Sequence, residues 1–111
     1  MSYTRCESDI AAVRELIEGR GDHLRIFAKI ENFEGVSNYE EILQQADGII
    51  INRHNLSLEY PSHKVFLLLK YLTERAIAET KPIYMYGNVL DSMVHSDTPL
   101  YYEVADVVDF V

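Results

Sequence analysis

The chain contains little cysteine, few basic residues and no long apolar run. Cys6 is the only cysteine among 111 residues, which excludes an intrachain disulfide and a zinc site built from several thiolates. With 10 lysine and arginine residues against 18 acidic ones, the net charge of -8 disfavours binding to nucleic acid or to acidic membranes. No run of about 18 apolar residues is present to span a membrane, and residues 1–9 have no apolar signal core. The composition therefore indicates a cytoplasmic protein.

The apolar residues follow a regular alternation of helical and strand-like patterns. Spacing and end signals predict helices over residues 10–18, 38–45, 62–80 and 99–111, with a short helical turn at 90–93. Ser37 with Glu40 three residues later forms a capping box for the second of these helices. Thr98 is the expected cap of the last one, with Pro99 at its first position. Strands are predicted over residues 24–30, 49–51 and 83–86.

This alternation predicts an α/β fold in which parallel strands are connected by helices. Three strands cannot close a barrel, so the chain is expected to be a sector of a (β/α)8 barrel or of an open sheet. In both architectures the chemistry lies at the carboxyl ends of the strands. The polar residues expected there are Lys29 and Glu31 after the first strand, Arg53, His54 and Asn55 after the second, and Tyr86, Gly87 and Asn88 at the third.

Lys29 and Glu31 stand two positions apart at the end of the first predicted strand. Because side chains alternate along a strand, both project from the same face. One interpretation is a surface ion pair, which contributes roughly 0 to 1 kcal/mol to stability. The other is a pair of functional groups. His54 is open in the same way, either as a catalytic group or as a solvated loop residue, whereas His23, His63 and His95 have no metal-ligand spacing.

Several motifs resemble those of the pyruvate kinase family. Residues 29–35 read K-I-E-N-F-E-G, against the family's K-I-E-N-x-E-G. Residues 42–49 resemble its I-L-x-x-x-D-G-I, and residues 59–67 resemble its E-I-P-x-x-K-V-F-L. The likeness extends in register over residues 1–111. By this resemblance we expect the chain to be a partial barrel domain from the end of strand 4 to helix 7, without the lid and C-terminal domains.

The resemblance implies a reaction and a role for the charged pair. The family transfers a phosphoryl group between phosphoenolpyruvate and ADP in glycolysis, giving pyruvate and ATP. By resemblance, Lys29 is the catalytic group that stabilises charge on the phosphoryl group, and Glu31 is a ligand of Mg²⁺ or Mn²⁺. Phosphoryl transfer relies on positioning and on neutralisation of oxygens, which suits such a pairing. The family's K⁺ ligands are expected to lie outside this chain.

The same resemblance implies four substrate-binding residues, Arg53, His54, Asn55 and Gly87, of which the last three depart from the family's pattern. Asn55 stands where the family has a second metal-binding aspartate, so this metal ligand is degenerate and metal binding is expected to weaken. His54 replaces a glycine that lets the backbone approach the substrate. Gly87 replaces a threonine, which removes a hydroxyl group near the reacting carbon.

Three functions are therefore open. The first is pyruvate kinase activity, impaired or absent in this isolated chain, with phosphoenolpyruvate and ADP as ligands. The second is a non-catalytic scaffold that docks on a full-length relative or associates with itself through its open sheet edges. The third is a different barrel enzyme acting on phosphoenolpyruvate or pyruvate, such as an aldolase-like lyase. The in-register match through the helices disfavours this third function.

Overall fold

A parallel three-stranded sheet forms the centre of the molecule. The computed structural model describes residues 1–21, 23–108 and 110. Strands β1 (Phe27–Ile30), β2 (Gly48–Asn52) and β3 (Ile83–Tyr86) lie side by side in the order β1-β2-β3. Both strand pairs are parallel, with Lys29 beside Ile50 and Ile50 beside Tyr84. The predicted α/β class, an open sector of parallel strands alternating with helices, is confirmed.

The helices connect the strands and cover one face of the sheet. Their bounds are α1 Glu7–Ile17, α2 Phe33–Ser37, α3 Tyr39–Gln45, α4 Arg53–Glu59, α5 Ser62–Ala78, a 3-10 helix Asp91–Val94, and α6 Tyr101–Val108. The last helix thus begins two residues after the predicted Pro99, and the predicted extension to Asp109 and Val111 lies outside the described residues. Across the described part of the chain, every helix is too short or too polar to cross a lipid bilayer.

The predicted capping box at Ser37 is wrong. Ser37 is the last residue of α2, and its hydroxyl donates to the carbonyl oxygen of Phe33 at 3.0 Å. The chain enters helix earlier than expected because Asn32, directly after β1, accepts a hydrogen bond from the Gly35 amide at 2.7 Å and caps α2. A second short helix, α3, then starts at Tyr39.

Helix α4 was not predicted, because the segment after β2 reads as a polar strand end. Asn52 closes the strand and also caps the helix, its side-chain oxygen accepting from the Asn55 amide at 3.2 Å. The last strand residue and the first helix residue, Asn52 and Arg53, are adjacent in sequence. The chain therefore turns sharply at the carboxyl end of β2.

The hydrophobic core lies between the sheet and the helices. Its strand residues Ala28, Ile30, Ile49 and Ile51 are fully buried, and they pack with Ile10, Leu43 and Leu72 of the helices. The opposite face carries Lys29, Ile50, Tyr84 and Tyr86, which are half-buried or exposed. β2 was expected to be buried on both faces, and in this open sector Ile50 remains partly accessible.

Residues 1–4 lie along the free edge of β1. Met1 N donates to the Phe27 carbonyl at 2.7 Å, and Lys29 N donates to the Met1 carbonyl at 2.9 Å, which is the pattern of a parallel bridge. The Thr4 carbonyl then approaches Gly35 so closely that a Cβ there would lie 2.6 Å from its oxygen. Glycine at position 35 therefore allows this segment to pack against α2.

We expect Gly35→Ala to lower the free energy of unfolding by about 1–3 kcal/mol, because the added methyl group forces the Thr4 backbone away from α2. Chemical denaturation followed by circular dichroism measures this change. Ser37→Ala, an exposed position on the same helix, is the control and should cost less than about 1 kcal/mol. Equal losses in the two variants would contradict the close packing of residues 1–4.

Candidate functional site

The carboxyl ends of β1 and β2 bring three of the predicted site residues into contact. Lys29 and Glu31 lie at the end of β1, and Asn55 lies in the first turn of α4 after β2. The Lys29 ammonium is 3.2 Å from Glu31 Oε1, and Asn55 Nδ2 donates to the same oxygen at 3.1 Å. The structure thus brings together three residues that the sequence analysis expected at the strand ends, and their roles remain predictions.

Glu31 is the centre of the cluster. Its side chain is 2% exposed, while that of Lys29 is 22% exposed. In addition to Lys29 and Asn55, Oε1 accepts a hydrogen bond from Asn52 Nδ2 at 2.7 Å, and Oε2 accepts one from the Tyr3 amide at 2.8 Å. A surface ion pair does not describe this arrangement, because the carboxylate is buried and receives four donors.

Asn52 was missed as a site residue. Its amide orientation follows from its two contacts, since Oδ1 accepts from the Asn55 amide and Nδ2 is left to donate to Glu31. It is 6% exposed. The only sequence signal was a polar residue that ends a run of three isoleucines, and this pattern does not identify its partner.

Tyr86 also joins the site. The Lys29 ammonium lies 4.5 Å from the centre of the Tyr86 ring, within the range of a cation–π interaction. Tyr86 pairs with Asn52 in the parallel register, and alternation along β3 puts Tyr84 and Tyr86 on the same face as Lys29. Tyr86 was named as a strand-end residue, but its contact with Lys29 was not anticipated.

Arg53 and His54 have their described contacts elsewhere. Arg53 Nε lies 2.8 Å from Asp106 Oδ2 on α6, and the guanidinium lies 5.9 Å from the centre of the Tyr102 ring. His54 is exposed, and its Nδ1 is 3.5 Å from Asn88 Nδ2. Both residues stand at the carboxyl end of the sheet, but Arg53 is engaged by α6. Their proposed role in binding substrate remains a prediction.

Gly87 follows the end of β3 in a backbone conformation that favours glycine, with a φ of 92°. A Cβ at this position would lie 3.3 Å from Asn52 Oδ1 and 3.6 Å from the His54 Cβ. The resemblance implies a threonine here in the family, and its replacement by glycine would change the backbone as well as remove a hydroxyl group. A threonine placed here would be strained.

The donors around Glu31 favour its ionised form. Burial alone raises the pKa of a carboxyl group. Hydrogen bonds from the Tyr3 amide, Asn52 and Lys29, together with the positive charge of Lys29, outweigh this effect and hold the pKa of Glu31 below its ordinary value. Glu31 is therefore a carboxylate at neutral pH.

The residues of the cluster do not fit a divalent cation in this arrangement. Mg²⁺ and Mn²⁺ require oxygen ligands, and carboxylates are the usual protein donors. Glu31 is the only carboxylate in the cluster, and N–H groups of Asn52, Asn55 and Lys29 point at it. Within the described residues, no group of three or more His, Cys, Asp or Glu side chains is placed to hold a metal ion.

We expect Glu31→Gln to lower the free energy of unfolding by about 1–3 kcal/mol at neutral pH, since charge-assisted hydrogen bonds are lost. Because the pKa of Glu31 is lowered in the folded protein, its contribution is complete above the ordinary value of 4.5 and is lost as the pH falls through the folded pKa. The difference in the free energy of unfolding between wild type and Glu31→Gln should therefore disappear at acid pH. Denaturation at several pH values measures it, with the exposed Glu34→Gln as control. A gap that is independent of pH would contradict the ionised network.

Comparisons with known proteins show the family to which this chain belongs. The model of the pyruvate kinase barrel domain matches residues 1–111. Pyruvate kinase 2, cytosolic, of Oryza sativa subsp. indica is 42% identical over all of this chain and 21% of that protein. Pyruvate kinase PKLR of Homo sapiens and pyruvate kinase of Geobacillus stearothermophilus are each 39% identical over 99% of this chain and 19% of those proteins. The chain thus spans about a fifth of the length of the curated relatives it matches. It belongs to the pyruvate kinase family, as part of the barrel domain.

Proposed function

We propose that this chain provides the strand ends at which a pyruvate kinase barrel transfers the phosphoryl group, and that its activity is impaired. The substrates are phosphoenolpyruvate and ADP, with pyruvate and ATP as products, and the location is cytoplasmic. The observation that carries the proposal is the placement of the Lys29 ammonium 3.2 Å from Glu31 at the carboxyl end of a parallel sheet. This is the edge at which barrel enzymes bind their substrates.

Lys29 is the group that meets the phosphoryl oxygens. Its ammonium is half-buried, lies against the Tyr86 ring and is held by Glu31, so its position is fixed before a substrate arrives. A fixed positive charge stabilises the negative charge that spreads over the phosphoryl oxygens during transfer. In this proposal Glu31 positions Lys29, and Asn55 and Asn52 position Glu31.

The impairment arises at the substrate-binding positions. Family resemblance also implies Mg²⁺ or Mn²⁺ and K⁺, but Glu31 with Asn55 does not fit a divalent cation as the cluster stands. His54 adds a side chain where the family has a glycine, and Gly87 offers no hydroxyl group. Arg53, the remaining predicted substrate contact, is paired with Asp106. Each change lowers the expected rate.

We expect a slow formation of pyruvate from phosphoenolpyruvate and ADP in the presence of Mg²⁺ and K⁺, and at least about a hundredfold loss in Lys29→Ala. A coupled assay that follows pyruvate measures both rates. Lys64→Ala, which removes an exposed lysine on α5, is the control and should leave the rate unchanged. Turnover at the same rate in Lys29→Ala, or no turnover in wild type, would refute the proposal.

A second candidate function, a non-catalytic docking module, is supported by exposed apolar side chains. Tyr84 on β3 is 57% exposed, and on α6 Tyr101 is 87% and Val108 is 68% exposed. Exposed apolar side chains mark a surface that binds another protein when they form a contiguous patch. The partner in this proposal is a second copy of the chain or a longer relative.

For this second candidate we expect the purified chain to be larger than a monomer in light scattering. Tyr101→Lys should shift the population toward monomer, because it replaces an exposed aromatic side chain of α6 with a charged one. Gln44→Lys adds the same charge at an exposed position of α3 and should leave the size of the particle in light scattering unchanged. A monodisperse monomer with cooperative unfolding would rule out self-association.

A further inference from the structure

We propose that Glu31 in this chain functions without a divalent cation, because donors of the protein itself occupy the place of the cation. The ammonium of Lys29, the amides of Asn52 and Asn55 and the Tyr3 N–H together form a clamp around the carboxylate. The proposal concerns the cation requirement of the site described under the proposed function and rests on that site only for its location.

The first argument is the number of donors. A carboxylate oxygen has about two lone-pair directions. Oε1 of Glu31 has donors from Asn52 at 2.7 Å, from Asn55 at 3.1 Å and from Lys29 at 3.2 Å. Its other oxygen is held by the Tyr3 amide at 2.8 Å. A cation would have to displace at least one of these donors to reach Oε1.

The second argument is the balance of charge. The ammonium of Lys29 already neutralises the one carboxylate of the cluster. A divalent cation bound to Glu31 would lie close to that ammonium without a second carboxylate to offset the repulsion. Because residue 55 is an asparagine, the cluster has one negative charge. This charge balances the ammonium of Lys29 but not an additional Mg²⁺.

The third argument is the orientation of the amides. The side-chain oxygen of Asn52 accepts a hydrogen bond from the backbone N–H of Asn55. The NH₂ group of Asn52 therefore faces Glu31. Asn55 Nδ2 also lies 3.4 Å from the Tyr3 hydroxyl. To offer an oxygen to a cation, Asn55 would have to rotate, and both contacts of its NH₂ group would be lost.

The clamp connects three parts of the chain. Glu31 extends from β1, Asn52 and Asn55 belong to the turn from β2 into α4, and Tyr3 belongs to the segment that lies along β1. A metal ion with ligands from two strand ends would link two of these parts. Here hydrogen bonds make that link, which gives the cluster a structural role independent of a cofactor.

The test is the binding of Mn²⁺ to the purified chain in the absence of substrates. The Mn²⁺ signal in electron paramagnetic resonance gives the affinity, and the melting temperature with and without Mn²⁺ gives a second readout. The variants are Asn55→Asp, which supplies the second carboxylate, and Asn32→Asp, which adds the same charge at the cap of α2. Glu31→Gln reports whether any Mn²⁺ bound by the wild type depends on Glu31.

We expect no Glu31-dependent Mn²⁺ binding in wild type or in Asn32→Asp. Mn²⁺ should not raise the melting temperature of either protein. Asn55→Asp should bind Mn²⁺ about tenfold tighter than Asn32→Asp or more, since the number of charged ligands sets the affinity for the cation. Without metal its melting temperature should fall, because two carboxylates face each other, and Mn²⁺ should restore it.

Two results would overturn the inference. One is wild-type Mn²⁺ binding that is lost in Glu31→Gln, and this comparison decides the question even if Asn55→Asp fails to fold. The other is Mn²⁺ binding to Asn32→Asp, whose clamp is intact, that equals the binding to Asn55→Asp. Both readouts are free of substrate, so they are independent of the pyruvate assay. Glu31-dependent Mn²⁺ binding would leave the phosphoryl-transfer proposal standing, and absence of turnover would leave the clamp standing.

Discussion

The burial of the Glu31 charge is the constraint on which the carboxyl edge of this sheet depends. An ionised carboxylate removed from water is strongly unfavourable unless donors replace its hydration. Glu31 is 3% exposed, and its donors come from the first residues of the chain, from its own strand and from the turn after β2. These segments meet at one point because parallel strands end at one edge. The geometry of the site and the attachment of residues 1–4 thus have a common cause.

The contacts that stabilise Glu31 also limit what it can bind. Amide N–H groups are good partners for a carboxylate but poor neighbours for a cation. Asn55 differs from aspartate by one functional group, and this difference converts a possible ligand into a donor. On the helix-facing side of the sheet, the core residues of β1 and β2 are fully buried and take no part in these contacts.

Periodicity was sufficient for the strands, for the longest helix and for the grouping of Lys29, Glu31 and Asn55, because each follows from one local pattern and from parallel topology. It failed where a side chain serves two elements. Asn52 ends β2 and caps α4, so the strand signal hid the helix. The ion pair between Arg53 and Asp106 was also missed, because no local pattern connects Arg53 to a residue so far along the chain. Contacts of this kind are visible only in the three-dimensional structure.

The backbone at Gly87 lies close to Asn52, the residue that orients Glu31. Gly87 has a positive φ, and a side chain at this position would meet Asn52 Oδ1, the same oxygen that receives the Asn55 amide. A threonine at 87 would therefore strain the backbone and crowd the residue that orients Glu31. An aspartate at 55 would change the charge that Glu31 faces without altering the backbone at 87. A metal-binding cluster can thus be approached by one substitution, whereas the hydroxyl group of the third strand requires a different backbone as well.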